Sequence, residues 1–124
     1  MNGRGFTLTE AMIALSILGV AMAGVLPTFL TYSDTNTLSE QRSGAVAAAQ
    51  LTAEALRQAD PGSLPSSGSS AVQVIRVGER DFEVQSHYCL RPTYCGTDSR
   101  HLTIEVFYGG RTIYSVETVY TRLR

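Results

Sequence analysis

Residues 6–30 read FTLTEAMIALSILGVAMAGVLPTFL, an apolar run broken by a single charge, Glu10. At about 1.5 Å per residue, a helix over this run crosses a hydrocarbon core of about 30 Å. The preceding MNGRG carries Arg4, which favours a cytoplasmic N-terminus with everything after the run outside. A secretory signal is the competing reading, because AMAG at residues 21–24 imitates a small-residue cleavage site. Against it, the run continues through Val25, Leu26, Phe29 and Leu30. Glu10 decides more than length does. A carboxylate in a membrane helix costs about 2.5–3.5 kcal/mol at the centre and less near an end, so it either snorkels to the headgroups or acquires a partner.

Gly5-Phe6-Thr7-Leu8-Thr9-Glu10, followed by AMIALSILGV, resembles the class III signal of type IV pilins and type II secretion pseudopilins. The resemblance covers roughly the first third of the chain. It implies that prepilin peptidase cuts between Gly5 and Phe6 on the cytoplasmic side, that Phe6 is N-methylated, and that Glu10 is the assembly glutamate. It also implies other pilin subunits, prepilin peptidase, an inner-membrane assembly platform and membrane lipids as partners. The physical logic is pairing: the Glu10 carboxylate meets the α-amino group of a neighbour's Phe6, offsetting the desolvation each suffers alone. Cleavage creates that amino group and removes Arg4. Gly19 and Ala23, with Ala21 and Gly24, give a small-residue surface for close helix approach. Pro27, placed where many pilins carry a proline, is expected to kink the helix near its exit from the membrane.

Residues 31–38, TYSDTNTL, are polar weak helix formers, where the helix surfaces and frays. SEQRSGAVAAAQLTAEALR at 39–57 regains helix propensity, with Leu38, Ala48, Leu51 and Ala55 as the expected stripe toward a sheet. AAAQLTAEALRQ within it resembles the stem of minor subunits at pilus or pseudopilus tips. Asp60-Pro61-Gly62 ends the helix, and SLPSSGSS has the composition of a flexible connector, with wrapping around the stem and a mobile linker both open. AVQVIRV at 71–77 and DFEVQSHY at 81–88 alternate around Gly78-Glu79, predicting a hairpin. His101–Tyr108 and Arg111–Leu123 repeat the pattern around Gly109-Gly110, suited to a type I′ turn. The last strand changes phase between Ile113 and Val116, the signature of a bulge.

The expected architecture is α+β: a leader at 1–5, a transmembrane helix at 6–30, an extracytoplasmic helix at 31–59, a linker at 60–70 and a four-stranded antiparallel domain at 71–124. A single-pass inner-membrane protein with a periplasmic C-terminal domain follows, moving to the cell surface on assembly. Between the hairpins, Cys89 and Cys95 close a short loop if oxidised, restricting the unfolded chain by about 2 kcal/mol. A metal site from those cysteines with His87 and His101 is the alternative. Arg91, Arg100 and Tyr94 offer phosphate contacts and base stacking to DNA, against which stands a solvated loop. With ten Arg, no Lys and eleven acidic residues the net charge is −1, which points to no polyanionic partner. No nucleophile–base motif, paired carboxylates or phosphate loop stands out, and neither enzyme activity nor a cofactor is expected. Two functions remain: a filament subunit, in which a minor pilin is preferred over a major pilin or a secretion pseudopilin, and a membrane-tethered binding module.

Overall fold

The computed structural model describes residues 5–122, so Arg4 and Leu123 lie outside the described residues. Helix α1 spans Leu8–Arg57. Thr7 sets its start: the Thr7 hydroxyl accepts the Glu10 backbone N–H at 3.3 Å and the Thr7 carbonyl accepts that of Ala11 at 3.1 Å. Thr7 and Glu10 thus have the spacing of a capping box, a signal that the sequence holds within Gly5-Phe6-Thr7-Leu8-Thr9-Glu10. The helix continues through Pro27. Its hydroxyls are satisfied one turn back, Ser16 donating to the Met12 carbonyl at 2.8 Å, Thr28 to Gly24 at 3.0 Å and Thr31 to Pro27 at 3.0 Å. Such bonds let polar side chains sit in an apolar segment without seeking water. Residues 31–38 do not fray, and Thr35 and Thr37 bond the Thr31 and Ser33 carbonyls in the same way.

The chain divides into two compact units, Met1–Leu38 and Ser39–Arg124. In the second, the end of α1 packs on an antiparallel sheet of β1 (Gln73–Val77), β2 (Arg80–Tyr88), β3 (Ser99–Tyr108) and β4 (Arg111–Thr121), in the order β1-β2-β3-β4. Val77 faces Arg80 across a two-residue turn whose Gly78 has φ +62°. Gly109 and Gly110 turn β3 into β4 at φ +59° and +75°, the two positive values a type I′ turn requires. In β4 the register shifts: Val106 faces Tyr114 while Phe107 faces Thr112, so Ile113 is the extra residue. The bulge keeps both Ile113 and Val116 partly buried against the core, which explains the phase change in the sequence.

The core is Ala45, Ala48 and Ala49 of α1 against Phe82 and Val84 of β2 and Ile104 and Val106 of β3. This corrects the expected helix face. Leu38 and Leu51 are 61% and 58% exposed and Ala55 is exposed, leaving only Ala48 of the expected stripe in the core. The packed face is turned by about one residue because the sheet is approached through the smallest side chains. A Cβ built on Gly44 would lie 2.6 Å from Phe82 Cζ, so the ring occupies the space that any side chain at Gly44 needs.

The linker is fastened rather than free. Arg100 Nε donates to the Leu64 carbonyl at 3.1 Å, the Tyr88 N–H bonds Gly68 O at 2.8 Å, and the Ser70 N–H bonds Ser86 O at 2.7 Å. At the other side, the Tyr120 hydroxyl donates to the Ala53 carbonyl at 2.7 Å. Burial pushes this phenol above its usual range, with Arg57 opposing and Glu54 adding to the rise. Folding therefore favours the protonated form, a contribution intact below the unfolded pKa of about 10 and lost as pH rises through the folded value. In melting experiments across alkaline pH, Tyr120→Phe is expected to remove that part of the alkaline destabilisation. At neutral pH it should cost about 1 kcal/mol for the lost bond.

Candidate assembly segment and the cysteine loop

Gly5, Phe6 and Thr7 precede the helix and are exposed, so the bond between Gly5 and Phe6 lies in non-helical chain outside the first hydrogen-bonded turn. Capping at Thr7 fixes this boundary and places Glu10 in the first turn, where the partial positive charge of the helix N-terminus favours a carboxylate. Among the described residues, no side chain pairs with the Glu10 carboxylate. The flanking apolar surface is uncovered: Phe6 is 75%, Leu15 67% and Leu26 61% exposed. None of the most apolar window of α1 is buried within the chain, and by length and composition it is able to cross a membrane. An apolar surface of this extent requires either lipid or other helices. Pro27 lies inside α1, its side chain exposed like its neighbours.

Cys89 and Cys95 are joined in a disulfide with Cα atoms 5.9 Å apart. Cys89 takes φ +54°, the left-handed region that a non-glycine residue enters rarely. The loop is tied to β3: the Cys89 N–H donates to the His101 carbonyl at 2.8 Å and the His101 N–H to Cys95 Sγ at 3.2 Å. With both sulfurs in the disulfide, the set of Cys89, Cys95, His87 and His101 offers no thiolate ligand. His101 instead is buried, with Nε2 3.6 Å from Glu117 Oε2 and its ring stacked on Tyr94 at 6.3 Å between centroids. Among the described residues no group of three or more His, Cys, Asp or Glu side chains is placed to hold a metal ion.

The groups considered for DNA are engaged within the domain. Arg91 pairs with Glu117 at 3.2 Å. Arg100 donates to the carbonyls of Leu64, Gly96 and Ser99, anchoring the linker and the cysteine loop. Sequence reasoning missed this role because carbonyl acceptors carry no side-chain signature.

The family comparison matches residues 1–26 to the prokaryotic N-terminal methylation motif. No curated protein and no solved structure matches the chain. The motif and the exposed apolar helix behind it support a class III signal like that of type IV pilin and pseudopilin precursors.

Proposed function

We propose that the protein is a structural subunit, a minor pilin, of a type IV pilus. Prepilin peptidase cuts between Gly5 and Phe6, Phe6 is N-methylated, and the Glu10 carboxylate meets the α-amino group of a neighbouring Phe6. The observation that carries the reading is the methylation motif opening a helix whose apolar side chains and sole membrane-depth carboxylate have no partners among the described residues. Before assembly, lipid covers that surface, with the C-terminal domain in the periplasm. In the filament, neighbouring helices replace lipid, and an inner-membrane platform driven by an ATPase supplies the work of extraction. Choice of a minor subunit rests on the small domain and on the likeness of residues 47–58 to tip-subunit stems. Adhesion, motility or DNA uptake then depends on the filament it joins.

Filament incorporation is tested by shearing cells and quantifying the chain in the sheared fraction. The expected result is recovery in that fraction in cells with an intact assembly ATPase and retention in the membrane without it. Retention in the membrane in both would contradict the filament role and leave a tethered domain.

A further inference from the structure

Residues 68–70 run beside the end of β2 and bring together three side chains that are far apart in sequence. Ser69 and His87 form an isolated antiparallel bridge, flanked by the Tyr88 N–H to Gly68 O bond and the Ser70 N–H to Ser86 O bond. That pattern makes Ser69 and His87 a non-hydrogen-bonded pair, the kind whose side chains approach most closely. Ser69 Oγ accordingly lies 2.6 Å from His87 Nδ1. On the other side of the imidazole, His87 Nε2 is 3.4 Å from Glu105 Oε2 on β3. An ionised Glu105 favours the tautomer with the proton on Nε2, which leaves Nδ1 as the acceptor for the Ser69 hydroxyl proton. The imidazole thus lies between a hydroxyl at one ring nitrogen and a carboxylate at the other.

Exposure completes the arrangement. Ser69 is open to solvent while the His87 side chain is 20% exposed. The flanking bonds also direct the Ser69 N–H away from β2, leaving it outside the pairing with that strand.

We propose that Ser69 is a base-activated surface nucleophile that accepts an acyl group from small activated carboxylic esters. Ser69 Oγ bonds to the acyl carbon as its proton passes to His87 Nδ1. Glu105 stabilises the imidazolium. The ester C–O bond then breaks, and the departing alkoxide takes the proton from Nδ1, leaving an acylated Ser69 and a free alcohol. Water, deprotonated by the same imidazole, returns the serine and releases the carboxylic acid. This chemistry is independent of filament assembly.

The test treats the full-length chain in detergent micelles with p-nitrophenyl acetate and, separately, a fluorophosphonate, and maps the modified serines by peptide mass. Ser66, Ser67 and Ser70 of the same linker serve as internal controls, so the comparison is made within one folded molecule. Ser69 is expected to react about 100-fold faster than those neighbours, the scale of general-base assistance. His87→Gln should bring it down to their rate, and Glu105→Gln should slow it by about tenfold with a changed pH profile. Equal labelling of Ser69 and its neighbours in the wild-type chain would overturn the proposal and leave the trio as a clip holding the linker to the sheet. So would a Ser69 rate that His87→Gln leaves unchanged in a variant retaining its disulfide and circular dichroism.

Discussion

Gly44→Val is expected to lower the melting temperature of the protein by about 10–25 °C. The added carbon meets Phe82 Cζ at 2.6 Å and Cε2 at 2.8 Å, so either the ring or the helix must shift. Phe82 is fully buried, its centroid 5.3 Å from that of Tyr108. Overpacking of this kind costs about 1–3 kcal/mol, and the second methyl of valine places it at the upper end. In a domain of this size about 4–8 °C is lost per kcal/mol. Helix propensity works in the opposite direction, since leaving glycine gains up to about 1 kcal/mol with alanine and less with a β-branched residue. Gly44→Ala carries the same Cβ contact with a larger gain in helix propensity, so it should cost less than Gly44→Val, and the difference reports valine's two methyls together with its lower propensity. Phe82→Leu introduced into Gly44→Val should restore part of the loss, whereas the two changes would simply add if the sites were independent. Calorimetry on wild type, Gly44→Ala, Gly44→Val, Phe82→Leu and the double variant makes the comparison. A melting temperature for Gly44→Val within a few degrees of wild type would show that the helix is not held at this distance from β2.

Glu10→Val is expected to reduce filament incorporation by about 100-fold while leaving the protein in the membrane. Removing one member of a buried ion pair costs about 3–5 kcal/mol because the other charge remains unpaired, and each 1.4 kcal/mol is a factor of ten. In the proposed arrangement the charge left alone is the α-amino group of the neighbouring Phe6. Membrane insertion moves the other way, since replacing a carboxylate by an apolar side chain improves it by up to about 3 kcal/mol. The two fractions therefore diverge: less Glu10→Val chain in sheared filaments and at least as much in membranes. Equal incorporation of Glu10→Val and wild type would remove Glu10 from the assembly mechanism.

How far the sequence discloses this molecule depends on the range of the signal. The methylation motif is legible because its residues are contiguous, and the cap because Thr7 and Glu10 are three residues apart. Both hairpins are legible because their turn glycines stand between alternating strands, and Ile113 betrays the bulge by falling out of phase. The packed face of α1 is not. Alanines surround the helix from Ala45 to Ala55, so apolar periodicity favours no direction, and the two leucines that attract attention, Leu38 and Leu51, are exposed. The deciding residue is Gly44, whose missing side chain admits Phe82. Docking of the linker was likewise hidden, because backbone groups at Gly68 and Ser70 form the pairing and Ser-Gly composition suggests a free chain. Ser69, His87 and Glu105 stand 18 residues apart at each step, and they are united only by the bridge of residue 69 to β2 and the register of β2 on β3.

The central claim is that the chain enters the pilin pathway through its N-terminus. Intact-mass and N-terminal analysis of the protein from its native membrane, in cells with and without prepilin peptidase, tests it most directly. The expected result is a chain beginning at N-methylated Phe6 only where the peptidase is present. An uncut N-terminus in both, or a cut after Ala23 or Gly24, would contradict it.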